Sequence, residues 1–304
     1  MNMKDRIYLT TYHFFKWLVT HTPEKILFPI LKAIARFAWL VDRRHRRVAR
    51  VNLDLAFGDE MSDEEKERIV KKTYENLVFN LADFIAHQDD SPEEILRRVT
   101  VENRHYAENF FKQKKPVILL TAHYGNWEML PRVYAALFGP ISIVGRPLDS
   151  KPMDELLKSS REKQGVTLIE KKGAMKEMIK ALKNGRSVGL LVDHNTTRAE
   201  GVPIDFFGKK ATQTPAAAIL ARRFEVPIIP IFITSDDHKH FKVQLYPPLV
   251  MQKSADKDED IRKSVQAQAD IIERVIRKKP DEWFWLHKRW RAYHKELYER
   301  SGAA

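Results

Sequence analysis

The chain contains no cysteine among its 304 residues. This absence excludes disulfide bonds, thiolate metal sites and a cysteine nucleophile. Neither a Gly-rich phosphate loop nor an H-E-x-x-H metal motif occurs. The pattern G-x-S-x-G does occur at Gly185–Gly189, but a helical stretch precedes it and a strand follows, the reverse of the order in a nucleophile elbow. We therefore expect no covalent intermediate on Cys or Ser.

Long hydrophobic runs are also missing. No stretch reaches the roughly 20 uninterrupted apolar residues of a simple membrane span. We expect no cleavable signal peptide, because the apolar stretch near the N terminus carries charges and lacks a small-residue cleavage site. Residues 7–20 and 23–41 are nevertheless apolar, aromatic and helical in pattern, and Thr22-Pro23 is typical of a helix start.

The second of these helices has one basic stripe. At helical periodicity Lys25, Lys32, Arg36 and Arg43 fall within an arc of roughly 40°. A basic stripe on an apolar helix is typical of a helix that lies in a membrane interface. A tilted span with snorkelling cations and an amphipathic helix packed on the domain are the alternatives.

The positive charge of the chain is concentrated near its N terminus. The net charge is +12, and residues 1–50 hold eleven Lys and Arg against three Asp and Glu, which is +8. Nucleic acid and an anionic membrane surface are the candidate partners. The run Arg43–Arg47 next to an apolar helix favours lipid headgroups. The predicted headgroup contacts are Lys32, Arg36, Arg43, Arg44, Arg46 and Arg47.

The rest of the chain indicates an α/β fold with a mixed, largely parallel central sheet flanked by helices. Ser62–Glu65 forms a capping box that opens a helix. Strands are predicted at 117–121, 141–144, 166–169, 187–192, 227–233 and 241–246, and helices near 126–138, 151–164, 173–183, 214–224 and 256–277. The length allows one large domain with an accessory segment, or two small domains. We divide the chain into a membrane-associating segment, 1–50, and an α/β domain, 51–304.

The most informative stretch is the strand Val117–Thr121 and the polar turn after it, where His123 is followed by Glu128. Histidine suits proton transfer near neutral pH. The Glu128 carboxylate could accept a hydrogen bond from the second ring N–H of His123 and stabilise the imidazolium. The alternative is a strand-end histidine bonded to backbone, with Glu128 a solvated helix charge.

Further candidates lie at other strand ends and in two aromatic stretches. Arg146 and the pair Asp193-His194 each follow a predicted strand. Phe206 and Phe207, in a loop bounded by glycines, could line an apolar tunnel or plug the core. The segment Trp283–Trp290 could meet lipid, stack nucleotides or pack on the domain. Asp236-Asp237-His238 is assigned to a polar hairpin loop and not to a metal site.

Taken together, these blocks resemble a known family. His123–Glu128 fits the H-x4-[DE] signature of glycerolipid acyltransferases. With Arg146-Pro147, Val202–Gly208, Pro227–Pro230 and Trp283–Trp290 in order, the chain is similar to the bacterial lipid A biosynthesis late acyltransferases. Their wider clan includes the phosphatidylinositol mannoside acyltransferases. The family mostly carries Gln where this chain has His194.

The resemblance implies transfer of a fatty acyl group from acyl carrier protein to a hydroxyl of a lipid A precursor of the Kdo-lipid IVA type. An acyl-CoA donor or another glycolipid acceptor is the alternative. His123 would act as general base with Glu128 orienting it, and Arg146 could stabilise the oxyanion. Asn126, Asp193 and His194 would complete the substrate-binding site, and Phe206 and Phe207 the acyl pocket. No cofactor or metal is expected.

The implied location is the cytoplasmic face of the inner membrane, and the implied partners include membrane lipid but not nucleic acid. Two rival functions remain open. A basic nucleic-acid-binding protein would bind with a strong dependence on salt and need no lipid. A hydrolase on the same scaffold would release free fatty acid.

Overall fold

The computed structural model describes residues 3–147 and 150–302. Its helices are α1 (Met3–His21), α2 (Glu24–Val41), α3 (Arg43–Phe57), α4 (Asp63–Ala86), α5 (Pro92–Arg97), α6 (His105–Lys112), α7 (Leu130–Phe138), α8 (Lys151–Lys163), α9 (Ala174–Lys183), α10 (Ala216–Phe224), α11 (Lys257–Lys278) and α12 (Lys295–Arg300). Its strands are β1 (Val99–Glu102), β2 (Ile118–Thr121), β3 (Ile141–Gly145), β4 (Val166–Glu170), β5 (Ser187–Leu191), β6 (Val202–Phe206), β7 (Lys209–Gln213), β8 (Ile228–Thr234) and β9 (Phe241–Leu245).

The main sheet of the described ranges has the strand order β1-β9-β8-β2-β5-β3-β4. All neighbouring strands are parallel except β8 and β9. This confirms the predicted mixed, largely parallel sheet, and the six predicted strands lie within a residue or two of β2, β3, β4, β5, β8 and β9. The capping box at Ser62 and Glu65 is also confirmed, at the start of α4.

The central strand β2 explains why its sequence is uniformly apolar. Ile118 and Leu120 pack into one apolar cluster, with α10 and α11, whereas Val117 and Leu119 pack into another, with α7. Alternate side chains of a strand point to opposite faces, so both faces of β2 are buried. A strand buried on both faces is apolar along its whole length. The polar residues that follow β2 therefore begin where the core ends.

The two N-terminal helices pack on α4 with only part of their apolar surface. Leu27, Leu31 and Phe79 belong to a separate buried cluster shared by α1, α2 and α4. The Phe28 and Phe79 rings meet edge to face with centroids 5.0 Å apart. Other large apolar side chains of α1 and α2 are exposed: Met3, Ile7, Tyr8, Phe14, Trp17, Ile26, Ile34, Phe37, Leu40 and Val41.

On α2 the residues divide into three sides at about 100° per residue. The buried side carries Leu27, Leu31 and Ala35, and the second side carries the exposed apolar residues of α2. The third side carries Lys25, Lys32 and Arg36, whereas Arg43, the fourth residue of the predicted stripe, lies on α3 because α2 ends at Val41. Within 3–147 and 150–302, no helix is both long enough and apolar enough to cross a bilayer. The predicted boundary between the membrane-associating segment and the α/β domain, at residue 50, falls inside α3. The division into these two parts stays a prediction.

Two features of the sheets were not predicted. β1 pairs in parallel with β9 at the edge of the main sheet. The glycine-bounded loop around Phe206 is instead an antiparallel hairpin of β6 and β7. Its two-residue turn, Phe207-Gly208, has positive φ at both positions (53° and 68°), the geometry of a type I′ turn. Phenylalanine is unusual there, which is why the sequence did not signal a hairpin.

The turn after β2 depends on a glycine. Gly125 has φ +59°, and a Cβ at this position would lie 1.7 Å from the carbonyl oxygen of Ile233 on β8. The Gly125 N–H donates to the Glu282 carbonyl at 2.9 Å, and its own carbonyl accepts from the Asn80 amide at 2.7 Å. The predicted helix at 126–138 therefore begins only at Leu130, because the preceding residues form this turn.

Gly125→Ala should destabilise the protein by more than about 1 kcal/mol. Both the positive φ and the contact with the Ile233 oxygen oppose a side chain. The matched control is Gly185→Ala, because Gly185 also has positive φ (71°) but a Cβ there meets nothing within 4 Å. Chemical denaturation of both variants measures the difference. Equal losses would contradict the close approach of β8 to the turn.

Candidate active site

Two neighbouring parallel strands end side by side, and each is followed by an ionisable residue. β2 and β5 pair in register, with Thr121 opposite Leu191. His123 and Asp193 each come two residues later, at the carboxyl edge of the sheet. Ligand sites in open α/β sheets form at this edge. The strand order thus brings together two side chains that are 70 residues apart in the sequence.

The Asp193 carboxylate is fully buried and lies within hydrogen-bond distance of three nitrogen atoms. Nδ1 of His123 is 2.8 Å from Oδ1. The backbone N–H of His123 donates to Oδ2 at 2.9 Å, and the indole N–H of Trp283 donates to the same oxygen at 2.9 Å. The carboxylate therefore joins the end of β2 to the C-terminal part of the chain.

These contacts decide where the proton of His123 lies. Burial alone would raise the pKa of Asp193, but the charge and hydrogen bond of His123 outweigh burial and hold this pKa well below its ordinary value. Asp193 is therefore ionised and accepts the Nδ1–H, which leaves a lone pair on Nε2 of the neutral ring. Burial lowers the pKa of His123, yet Asp193 and, less strongly, Glu128 raise it above the ordinary 6.5.

Glu128 is not the hydrogen-bond partner of His123. Its carboxylate accepts from the Arg161 guanidinium at 2.9 Å and its side chain is 38% exposed. The predicted orienting contact is thus made by Asp193, and Glu128 acts on His123 only as a charge. The reason is local: Glu128 belongs to the turn that precedes α7 and not to its first helical turn.

Asn126 also lies elsewhere than predicted. It is buried, and its amide donates to the Asp83 carboxylate at 2.8 Å. Asp83 in turn pairs with Arg98. Asn126 therefore ties the turn to α4, so its side chain faces the protein interior and not a substrate.

Arg146 and His194 are on the same edge of the sheet as His123. Arg146 follows β3, the strand beside β5, and its side chain is exposed. His194 follows Asp193 and is exposed, with its Nε2 atom 3.1 Å from Nε2 of His123. The structure thus brings His123, Asp193 and His194 into contact and places Arg146 one strand further along.

The tail segment, Trp283–Trp290, forms a wall beside His123. The Phe284 N–H donates to the His123 carbonyl at 2.8 Å, and Trp283 forms a β-bridge with Tyr124. The ring centroids of Trp127 and Phe284 lie 5.3 and 6.2 Å from that of His123. The indoles of Trp283, Trp285 and Trp290 are fully buried, so this segment packs on the domain, one of the three possibilities left open by the sequence.

The tail also contributes His287, which sequence reasoning missed. Its Nε2 lies 3.1 Å from the Asp193 carbonyl oxygen, and burial lowers its pKa to about 3. Its ring centroid is 5.2 Å from that of His194. The aromatic density of the tail was visible in the sequence, but its contact with strand ends more than 90 residues earlier was not.

Phe206 and Phe207 do not line an open slot. Both are buried, and their rings pack against each other with centroids 5.0 Å apart. Phe206 also packs on Trp290, and Phe207 packs on Phe57. The β6–β7 hairpin thus inserts both rings into the aromatic core, which is the core-plugging alternative. The apolar rings of Trp127 and Phe284, in contrast, lie beside His123.

The predicted headgroup residues lie on α2 and the first turns of α3. Lys32 and Arg36 are exposed on α2. A cleft of about 460 Å³ is lined by Arg43, Arg46, Arg47, Arg50 and Glu67. Burial lowers the pKa of Lys288 in the tail, and the charges of Arg44 and Arg291 lower it further. Positive charge therefore accumulates on this side of the protein.

Comparison with known proteins gives consistent results. The family model described as "Bacterial lipid A biosynthesis acyltransferase" matches residues 3–292. The lipid A biosynthesis lauroyltransferase of Escherichia coli (strain K12) is 24% identical over 90% of this chain and 88% of its own length. The myristoyltransferase of the same strain is 25% identical over 88% and 81%. A Haemophilus influenzae lipid A biosynthesis acyltransferase is 26% identical over 87% and 85%.

Among solved structures, the 1-acyl-sn-glycerophosphate acyltransferase PlsC from Thermotoga maritima is similar with a TM-score of 0.39. It is 13% identical and the match covers 84% of this chain and 99% of that one. A similarity at this level adds nothing to the description of the site.

Asp193→Asn should lower the pKa of His123 markedly, because a neutral amide replaces the ionised acceptor at Nδ1. Glu128→Gln is the matched control and should lower the pKa less, because Glu128 acts only through its charge. NMR titration of labelled histidine measures both. Equal changes in the two variants would contradict the assignment of Asp193 as the partner.

Proposed function

The chain belongs to the bacterial lipid A biosynthesis acyltransferases, and from that membership we propose that it transfers a fatty acyl group from acyl carrier protein to a hydroxyl of a lipid A precursor of the Kdo-lipid IVA type. That it is an acyltransferase follows from the family and its named relatives. The observation that carries the chemical proposal is the Nδ1 contact of His123 with the buried Asp193, which leaves Nε2 as a base.

In the proposed reaction, the acceptor hydroxyl oxygen attacks the thioester carbonyl while Nε2 of His123 takes the hydroxyl proton. Asp193 stabilises the imidazolium that forms. The tetrahedral intermediate collapses with cleavage of the C–S bond, and the departing thiolate receives the proton. No acyl-enzyme is formed, in keeping with a chain that lacks cysteine.

Two further roles are part of this proposal. Arg146, exposed at the same edge of the sheet, would stabilise the oxyanion. Removal of one such donor typically costs about 10²–10³ in rate. The thioester end of the acyl chain would lie against Trp127 and Phe284, in place of the pocket predicted at Phe206 and Phe207.

The acceptor and the membrane would be met by the N-terminal part of the chain. The arginine cleft of α3 is suited to phosphate and sugar-acid groups, because guanidinium forms charge-assisted bonds to such anions. The exposed apolar side of α2 lies between its basic stripe and its buried side, as in a helix that rests in a membrane interface. We therefore propose that the protein works at the cytoplasmic face of the inner membrane.

His123→Ala should reduce acyl transfer by about 10²–10⁴ while the protein remains folded. The assay is mass spectrometry of a purified lipid A precursor incubated with acylated carrier protein. His240→Ala, which removes an exposed histidine paired with Asp237, is the matched control. Undiminished transfer by the His123 variant would refute the mechanism. Transfer only from acyl-CoA would support the alternative donor. Release of free fatty acid would support the hydrolase.

The pH dependence follows from the raised pKa of His123. The base is active when neutral, so kcat/KM should be level above this pKa and fall about tenfold per pH unit below it. Because the pKa is raised, the fall should begin above pH 6.5. The profile of kcat/KM against pH measures this, and a fall confined to pH values well below 6.5 would contradict it.

Phe37→Ser should weaken binding to anionic phospholipid vesicles, because Phe37 is 66% exposed on the apolar side of α2. Phe111→Ser is the control, since Phe111 is 47% exposed on α6 and lies outside the N-terminal helices. Co-sedimentation with vesicles measures binding. Equal binding of the two variants to vesicles would argue against insertion of α2. Binding of nucleic acid in the absence of lipid would support the rival function.

A further inference from the structure

One asparagine on α3 ties that helix to the tail segment. Asn52 is fully buried, and its Nδ2 atom donates to the carbonyl oxygens of Trp285 and His287, each at 2.7 Å. Its Oδ1 atom accepts from the Tyr298 hydroxyl at 2.6 Å. Both amide hydrogens and one lone pair are therefore in use. Because backbone carbonyls only accept hydrogen bonds, the amide group has a single orientation here.

The conformation of the tail segment explains why such a contact is needed. Residues 284–294 of the described structure form turns and extended chain. Buried backbone carbonyls in such a segment depend partly on side chains for their hydrogen bonds. Asn52 supplies a donor to two carbonyls that are two residues apart, and it does so with one nitrogen atom. A buried amide that is satisfied in this way favours one register of the tail on α3, because any shift would leave it without partners.

The tail segment lies between Asn52 and the reactive edge of the sheet. On one side its carbonyl groups accept from Asn52. On the other side the Trp283 indole N–H donates to Asp193, and the Phe284 backbone N–H donates to the His123 carbonyl. Both sets of contacts come from the same short stretch of chain. A shift of the tail on α3 would therefore move the two donors that hold the base and its carboxylate.

We propose that Asn52 is a positioning residue for acyl transfer: it fixes the tail in the register that places one donor on Asp193 and another on His123. This proposal rests on the acyl transfer proposed above. Asn52 acts through the tail, because its own partners are two tail carbonyls and the Tyr298 hydroxyl. A misplacement of reacting groups by about 1 Å can cost about 10²-fold in rate, so a residue remote from the chemistry can control it.

The position of Asn52 on α3 separates this role from that of the arginine cleft. At about 100° per residue, the four arginines of the cleft fall within an arc of roughly 100°, and Asn52 lies roughly 170° from the middle of that arc. The cleft is thus on one side of the helix and the contact with the tail is on the other. A substitution at Asn52 should therefore change the rate of transfer and leave the binding of anions to the cleft unchanged.

The first experiment compares Asn52→Leu with a control on the same helix. Asn52→Leu keeps the approximate size of the side chain and removes all three hydrogen bonds. We expect kcat to fall by about 10²-fold with KM for the lipid acceptor unchanged, because the tail loses its register. Leu53→Ala is the control: Leu53 is fully buried on α3, and its truncation leaves a cavity without removing a side-chain hydrogen bond. This variant should keep wild-type kcat. Thermal unfolding sets a temperature at which both variants are folded.

Wild-type kcat in folded Asn52→Leu would overturn the proposal. An equal loss of kcat in Leu53→Ala would also overturn it, because the loss would then follow stability and not the register of the tail. A loss confined to KM would overturn it as well, since it would indicate a contact with the acceptor. Should Asn52→Leu not fold, Asn52→Ser takes its place, because a serine hydroxyl can donate to one carbonyl only. The same outcomes then decide.

The second experiment does not depend on activity. Hydrogen exchange of the Trp283 indole N–H, followed by NMR of ¹⁵N-labelled protein, reports on the docking of the tail. In Asn52→Leu this exchange should accelerate more than that of the Leu120 amide, which lies on the buried strand β2. In Leu53→Ala the two should accelerate together, as in a general loss of stability. Equal acceleration in Asn52→Leu would overturn the proposal. If the wild type transfers no acyl group, the proposed function fails, and hydrogen exchange still decides whether Asn52 holds the tail.

Discussion

The buried carboxylate of Asp193 is the interaction on which the arrangement of the site depends. It receives the side chain and backbone N–H of His123 and the indole N–H of Trp283. An ionised group without access to water is tolerated only when such partners compensate for its lost hydration. The same contacts that stabilise the charge hold the imidazole in one orientation and one tautomer. The interactions that make a buried Asp193 carboxylate tolerable are therefore the same ones that prepare His123 to act as a base.

Much of the fold could be predicted from local patterns. The strands β2 and β5 are recognisable as short apolar runs, and His123 and Asp193 as polar residues at their ends. The contact between His123 and Asp193 is not predictable in this way, because it requires the strand order, which is set by contacts remote in sequence. Glu128 looked like the natural partner only because it is close along the chain. Because residues around Gly125 form a turn, α7 begins only after Glu128, and the Glu128 carboxylate accepts a hydrogen bond from Arg161 instead.

The aromatic residues illustrate the same limit. Phe206 and Phe207 lie in a segment rich in glycine and proline, which indicated a loop. Positive φ at Phe207 allows a tight hairpin, and packing against Phe57 and Trp290 compensates for the unfavourable backbone. Burial of a ring depends on what lies opposite it. That information is tertiary, so the same residues could equally have formed a pocket wall.

The tail segment Trp283–Trp290 has a consequence for the order in which the protein matures during translation. It supplies the indole that bonds to Asp193 and the backbone N–H that bonds to the His123 carbonyl. The ribosome makes this segment some 160 residues after His123. Helices α1 and α2 emerge first, and chains begin to organise from that end. A nascent chain whose tail segment has not yet been made therefore lacks two of the contacts that hold His123 and Asp193 in place.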